Sequence, residues 1–212
     1  MRASKTKSPL RGIAIILLGR PGSGKDTQAE LLAEKFGLIS LVSSKLLERA
    51  FSGSKRTVTL EGKIYDVAKE HRHMHGGALV NFNFVSNLVN DEIRRVARSG
   101  KGLIMSASPR SKTEAKKELP LLHKLYGDKV FIFHVYISPR EVYVRNLKRH
   151  RKDLPELDTR EIIKKRLDAF NRYTLPVIRK LEREKKIIEI NGEQKIMKIH
   201  KDILKILLSK LK

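Results

Sequence analysis

Residues 19–27 have the sequence Gly-Arg-Pro-Gly-Ser-Gly-Lys-Asp-Thr, and this segment is the most informative one in the 212-residue chain. It follows an apolar run at residues 13–18 and precedes a helical pattern at residues 28–36. A strand, a glycine loop and a helix in that order form the context that a phosphate-binding loop requires. The glycines permit a tight turn that directs several backbone N–H groups at one anion, while the helix dipole and Lys25 add positive charge. The segment therefore predicts a loop that binds nucleotide phosphates.

An ordinary glycine-rich turn between a strand and a helix is the alternative interpretation of this segment. The strand, the lysine and the helix occur together at the right spacing, which favours the phosphate loop. Asp26 occupies the position at which most such loops have Ser or Thr, and Thr27 follows it. The Asp26 carboxylate, with Thr27 beside it, is a candidate ligand for Mg²⁺. The alternative is that Asp26 only stabilises the first helical turn through its charge.

Composition restricts the class of protein. The chain has 46 Lys and Arg against 23 Asp and Glu, a net charge of +23, so its surface is expected to attract polyanions non-specifically. A host whose proteins are generally basic is an alternative explanation of the charge, so the charge is weak evidence of function. The chain has no cysteine, which excludes disulfides and thiolate zinc sites and fits a cytoplasmic protein. Since no apolar run reaches membrane-spanning length, we expect no membrane partner.

The order of apolar and polar segments predicts an α/β fold. We expect a basic, disordered tail at residues 1–11, followed by a single P-loop domain at residues 12–212. Short apolar segments separated by helical patterns predict a five-stranded parallel sheet in a three-layer sandwich, with strands at residues 13–18, 38–42, 103–106, 129–137 and 187–190. A helical pattern near residues 60–71 predicts a small helical insertion within residues 44–80. A long helix is expected from residue 158 to about 184, with a kink at Pro176.

Arginines occur near the carboxyl ends of the predicted strands, which is where ligands bind in such sheets. Arg110 follows the strand at residues 103–106, and Arg49 lies in the helix after Ser43-Ser44. Arg166 is spaced one helical turn from Ile162 and Phe170, so it faces the protein and not the solvent. A guanidinium on an inward face requires an anion, and phosphate matches its fork geometry.

The chain resembles the adenylate kinase family of nucleoside monophosphate kinases over roughly residues 12–210. Six short motifs of this chain resemble segments of the family. Residues 19–37 resemble its phosphate loop and first helix, residues 43–50 its Ser-Thr-Gly-Asp-Leu-Leu-Arg segment, and residues 77–80 its Gly-Glu-Leu-Val. Residues 106–110 resemble its Asp-Gly-Phe-Pro-Arg, residues 158–167 its lid-to-helix segment, and residues 173–176 its Thr-x-Pro kink. The short segment at residues 149–158 resembles the short-lid branch, which needs no lid zinc. The family implies a monomeric enzyme that uses ATP, a nucleoside monophosphate (AMP above all) and Mg²⁺.

The resemblance also implies site residues. The ATP-binding set is Gly22, Ser23, Gly24, Lys25, Asp26, Thr27 and Arg149, the last from the lid. The monophosphate-binding set is Ser44, Arg49, Arg110 and Glu114. The residues that act on the transferred phosphoryl group are Lys25, Arg110, Arg166 and the lid residue Arg151.

The chain departs from the family pattern at three positions. Ser106 replaces the Asp that helps to hold Mg²⁺ through water, and Lys45 stands where the family has Gly-Asp. Glu114 replaces a Gln that reads the adenine base. Glu114 also completes a capping box, Ser111-Lys-Thr-Glu, so its role as a base-reading residue and its role as a helix cap are both open.

A different class of function is the alternative to the kinase. The chain could be a non-catalytic P-loop protein that binds RNA or another polyanion through its basic surface. Formation of diphosphate from a monophosphate would distinguish the kinase from that binding protein.

Overall fold

The computed structural model of the chain describes residues 12–53, 56–75, 80–149 and 159–211, and for residues 73–75 and 149 it describes the backbone. Three predictions fall outside these residues. They are the basic tail at residues 1–11, most of the Gly-Ala-Leu-Val motif at residues 77–80, and the lid at residues 149–158 apart from the backbone of residue 149.

The strands are found close to where the sequence predicts them. In chain order they are β1 (Ala14–Leu18), β2 (Ile39–Val42), β3 (Thr57–Leu60), β4 (Lys63–Asp66), β5 (Leu103–Ser106), β6 (Val130–Tyr136) and β7 (Ile188–Asn191). The main sheet has five strands in the order β2-β5-β1-β6-β7, and all its neighbours are parallel. The chain passes from β1 outward to β2, returns to β5, and then continues on the other side with β6. The carboxyl end of β1 therefore lies where the strand order reverses, which is the usual ligand position in such sheets.

Helices cover both faces of this sheet. In the described residues they are α1 (Lys25–Phe36), α2 (Ser43–Ser52), α3 (Val67–His75), α4 (Phe82–Arg98), α5 (Lys112–Tyr126), α6 (Pro139–Arg149), α7 (Arg160–Ala169), α8 (Leu175–Arg183) and α9 (Ile196–Lys210). In that part of the chain, no helix combines the length and the apolar composition that crossing a bilayer requires.

Alternation along β1 divides the core into two halves. Ile15 and Leu17 pack with Leu32 and Ile203, from α1 and α9. Ile16 and its neighbours at even positions face the opposite side, where they join a cluster from α2, α4, α5 and α8. Every residue of β1 is buried, as expected for a central parallel strand covered on both faces. The three-layer sandwich is therefore confirmed.

The insertion between α2 and α4 is only partly helical. The prediction of a helical pattern from residue 60 is wrong for residues up to Asp66, because β3 and β4 form an antiparallel hairpin there. Glu61 and Gly62 both have positive φ, 48° and 74°, as a tight two-residue hairpin turn demands. Thr57-Val-Thr favours the strand through its β-branched side chains. Tyr65 packs on Phe84 of α4, which fixes the hairpin to the sheet domain.

The long helix predicted from residue 158 is interrupted by a π-helical turn (Phe170–Thr174) between α7 and α8. Thr159 caps α7 through its side chain, which accepts a hydrogen bond from the backbone N–H of Ile162. In the π-helical turn the backbone N–H of Leu175 donates to the carbonyl of Phe170, five residues earlier. Pro176 has no N–H to donate, so it cannot support a regular α-helical bond at this point. The irregularity thus lies just before the proline.

Candidate active site

The loop between β1 and α1 has a backbone that requires glycine. Gly22 and Gly24 have φ of 81° and 86°, in the left-handed region that side chains rarely adopt. At Gly19 a Cβ would lie 2.5 Å from the carbonyl oxygen of Val135, which leaves no room for one. Gly24 precedes α1 directly, so the loop ends at the positive end of that helix dipole. The loop is therefore built for a close approach of its N–H groups to an anion.

Two side chains that the sequence analysis did not identify brace this loop. The buried Asn146 of α6 donates its amide N–H to the carbonyl of Pro21 at 3.2 Å. Arg20 donates from Nη1 to the carbonyl of Ile137 at 2.6 Å, and its guanidinium lies over the rings of Tyr136 and Phe170. The loop is thus tied to α6, to the end of β6 and to the π-helical turn.

Lys25 begins α1 and is 8% exposed, which is unusual for a lysine. Its Nζ lies 3.4 Å from the carbonyl of Arg20, so the side chain folds back over the loop. Asp26 is exposed and Thr27 is partly exposed in the first turn of the same helix. The Asp26 and Thr27 side chains thus both lie at or near the surface beside the loop.

Arg110 lies in the connection between β5 and α5, and its contacts fix its direction. Its Nε donates to the carbonyl of Ala107 at 2.8 Å, and its Nη2 lies 3.4 Å from the hydroxyl of Ser43. The Thr174 hydroxyl donates to the carbonyl of Arg110 at 2.8 Å. The π-helical turn therefore holds the backbone of Arg110, and β5 holds its guanidinium through Ala107.

Three of the predicted cations line one cavity of about 230 Å³ at the mouth of the glycine loop: Lys25, Arg110 and Arg166. Its other walls include Gly19 of the loop and the aromatic rings of Phe82, Phe170 and Tyr173. A larger groove, about 700 Å³, lies between α5 and α8 and contains no residue of the loop, so size alone does not identify the site. Converging cations with a partly apolar wall suit phosphate groups that must be kept from water.

The remaining predicted residues either do not line this cavity or lie beyond the described atoms. Gly22, Ser23 and Gly24 form the loop itself, while Ser44 and Arg49 are exposed on α2 and are not among the cavity's lining residues. The charge of Arg49 contributes to holding the pKa of Glu92 on α4 below its usual value, after the hydrogen bond and charge of Arg95. The side chain of Arg149 and all of Arg151 lie outside the described residues.

Comparison with known proteins agrees with this geometry. The sequence profile described as adenylate kinase matches residues 17–186. The chain belongs to the adenylate kinase family. It is 28% identical over 215 residues to an adenylate kinase of Fusobacterium nucleatum, an alignment covering 91% of this chain and 97% of the relative. Adenylate kinase 1 of a Nostoc species is 31% identical over 180 residues, with 85% and 90% covered. Adenylate kinase isoenzyme 1 of Cyprinus carpio is 28% identical over 192 residues, with 90% and 92% covered.

Family membership makes the chain a nucleoside monophosphate kinase, an enzyme that transfers a phosphoryl group to a nucleoside monophosphate. The glycine loop at the end of β1 is the phosphate loop of this adenylate kinase family fold. The individual roles of Lys25, Arg110 and Arg166 stay predictions that their shared cavity supports.

The segment that carries Arg110 rests on two buried carboxyl groups of α5. Glu114 accepts from the backbone N–H of Arg110, and Ser111 caps the helix by accepting from the N–H of Glu114. These contacts favour the capping role of Glu114 over a role in base recognition. Glu118 is fully buried, and its Oε2 accepts a hydrogen bond from the Ser108 hydroxyl at 2.8 Å. Burial, and then the nearby Glu114 charge, raise the pKa of Glu118 well above its usual value.

Glu118→Gln should therefore change how stability depends on pH. The native state holds the Glu118 proton over a pH range in which the unfolded chain has lost it, so the native state binds more protons there. The unfolding free energy of the wild type, relative to the variant, should fall as pH rises from about 4.5 through the raised pKa of Glu118. Each tenfold difference in proton affinity is worth about 1.4 kcal/mol. Urea unfolding of both proteins between pH 4.5 and 8 measures this difference, and a difference independent of pH would contradict the prediction.

Proposed function

We propose that this nucleoside monophosphate kinase transfers the γ-phosphoryl group of ATP to AMP, with Mg²⁺, and forms two molecules of ADP. The observation that carries the proposal is the cavity in which Lys25, Arg110 and Arg166 meet beside the glycine loop. The three relatives compared above are all named adenylate kinases, which supports AMP as the acceptor.

In the proposed reaction an oxygen of the AMP phosphate attacks the γ-phosphorus of ATP. The bond from that phosphorus to the oxygen bridging it to the β-phosphate breaks, and ADP leaves with the electron pair. Little covalent work falls to the protein, because positioning and charge stabilisation provide most of the rate. The loop N–H groups and Lys25 bind the ATP phosphates, Arg110 and Arg49 bind the AMP phosphate, and Arg166 contacts the group in transit.

The residues beside the loop fit Mg²⁺, which prefers oxygen ligands and keeps several waters. Asp26 offers a carboxylate and Thr27 a hydroxyl. Ser106, at the end of β5, is 1% exposed and does not line the cavity, and its hydroxyl does not replace the carboxylate that the family pattern has there. Mg²⁺ would neutralise charge on the ATP phosphates. Asp26, with Thr27 beside it, would hold the ion from the protein side.

A panel of monophosphates tests the function and the base together. A coupled assay of diphosphate formation with AMP, CMP, UMP and GMP should give the highest kcat/KM with AMP. A clear preference for another monophosphate would overturn the choice of AMP while leaving the kinase intact. Failure to phosphorylate any of the four, together with RNA binding that weakens steeply with salt, would favour the alternative in which the basic surface binds a polyanion.

Substitution of a cation that lines the cavity should lower kcat far more than substitution of a cation on the surface. Lys25→Met and Arg110→Ala should each lower kcat about 100- to 1,000-fold, because both groups are proposed to act on charge that develops in a partly dry site. Arg110→Lys should recover only part of the loss, since an ammonium lacks the guanidinium fork. Steady-state kinetics with ATP and AMP measure both effects.

Arg95→Ala is the matched control, because Arg95 is exposed on α4 and pairs with Glu92. It should leave kcat and KM near wild type. Arg49→Ala should mainly raise the KM for the monophosphate. An Arg110→Ala variant that keeps wild-type kcat would remove Arg110 from the mechanism.

The Asp26 carboxylate should make ATP use depend strongly on Mg²⁺, since without a cation it repels the phosphates. Asp26→Asn should therefore change the free Mg²⁺ concentration that gives half-maximal turnover. Glu30→Gln, an exposed carboxylate one turn further along α1, is the control and should leave that concentration unchanged. If Asp26→Asn behaves like the control, Asp26 serves only the first helical turn.

A further inference from the structure

A second group of polar side chains lies on β6, β7 and α8, outside the nucleotide cavity. His134 of β6 is paired in the sheet with Glu189 of β7, and Glu182 of α8 lies above them. The His134 side chain is only 4% exposed, while those of Glu182 and Glu189 are 42% and 61% exposed. Neither ring nitrogen of His134 has a hydrogen-bond partner within the described ranges. A buried imidazole without a hydrogen-bond partner destabilises the folded state unless its nitrogens contact another group, such as a ligand.

The distances in this group match those between the ligands of one metal ion. Nδ1 of His134 lies 3.5 Å from Oε1 of Glu182 and 3.5 Å from Oε2 of Glu189, too long for good hydrogen bonds. All three atoms lie within 4.8 Å of one another. A tetrahedral ion with bonds of roughly 2.1 Å separates its ligand atoms by about 3.4 Å.

An ion pair between a charged imidazole and the two carboxylates is the competing explanation. Nδ1 of His134 lies 3.5 Å from a carboxylate oxygen of each glutamate, which is longer than the charge-assisted hydrogen bonds of such a pair. A neutral imidazole is the form that binds a metal. It is also the form that gains little from an ion pair.

We propose that His134, Glu182 and Glu189 bind one zinc ion or a similar transition-metal cation, with water completing the coordination. One nitrogen and two carboxylate oxygens suit Zn²⁺, whereas Mg²⁺ prefers oxygen ligands alone. The ion links α8 and β7 to β6 at the edge of the sheet. The ion lies apart from the nucleotide site, because none of the three ligands lines that cavity.

The test uses the full chain freed of metal, with Co²⁺ as a spectroscopic probe and Zn²⁺ as a stabilising ligand. Wild-type protein should show visible Co²⁺ absorption typical of tetrahedral coordination, and Zn²⁺ should displace it. A free Zn²⁺ concentration one hundred times the dissociation constant should raise the melting temperature by about 5–10 °C. Mg²⁺ alone at the same concentration should have no such effect.

The glutamate variants keep the test independent of folding defects, because neither side chain is buried in the core. Glu182→Gln and Glu189→Gln should each weaken Zn²⁺ binding by at least about 10-fold and abolish the Co²⁺ spectrum. Glu184→Gln, an exposed carboxylate next to α8 that pairs with Lys186, is the matched control and should retain both. The proposal is wrong if wild type shows neither the spectrum nor the stabilisation, or if the Glu182 and Glu189 variants retain them, as binding elsewhere on the chain would predict.

Discussion

Several positive charges lie close together around the phosphate loop, and each must be held there against mutual repulsion. The structure holds them with backbone carbonyl groups at the ends of neighbouring strands. Lys25 points to the carbonyl of Arg20 after β1, and Arg110 to that of Ala107 after β5. Arg20 itself donates to Ile137 after β6. The partial negative charges of these carbonyls offset the repulsion, and the register of three buried strands sets where the cations lie.

Because the ends of the strands fix the positions of the cations, the geometry of the site depends on the packing of the core. β1 is buried along its whole length between two apolar clusters, so its end has little freedom to move. A change in the core that shifts β5 against β1 would move Ala107, and Arg110 with it. The cations at the site are therefore held by fixed backbone contacts, although the protein is rich in exposed lysine and arginine.

Local sequence was enough to predict the features whose causes are local. The phosphate loop, the buried strands and the Ser111 cap follow from glycine spacing, apolar runs and a capping motif, and the structure contains all three. The loop motif predicts Lys25, and helical spacing predicts that Arg166 faces inward. Arg110 is predicted because strand ends of a parallel sheet converge, which places Lys25 and Arg110 together whatever their separation in sequence. That argument gives proximity but not contacts.

The features that the sequence did not predict depend on long-range or weakly patterned contacts. Asn146 and Pro21 are 125 residues apart, and nothing in either local sequence indicates that they meet. The helical pattern that overlaps the hairpin of β3 and β4 arises because Ile64, Val67 and Ala68 are also spaced as on a helical face. Likewise, His134 lies in a strand whose apolar neighbours conceal it, and its two glutamates come from other elements.

The π-helical turn sets the rotation of α8 relative to α7. On one side of it α7 presents Arg166 to the cavity, and on the other α8 buries Val177, Ile178 and Leu181 in the core. An α-helix turns by about 100° per residue, so the widened turn sets the angle between these two faces. If the same residues closed as a regular α-helix, the apolar face of α8 would be rotated by about 100° away from the sheet. The alignment is thus encoded by the number of residues in the helix as much as by their chemistry.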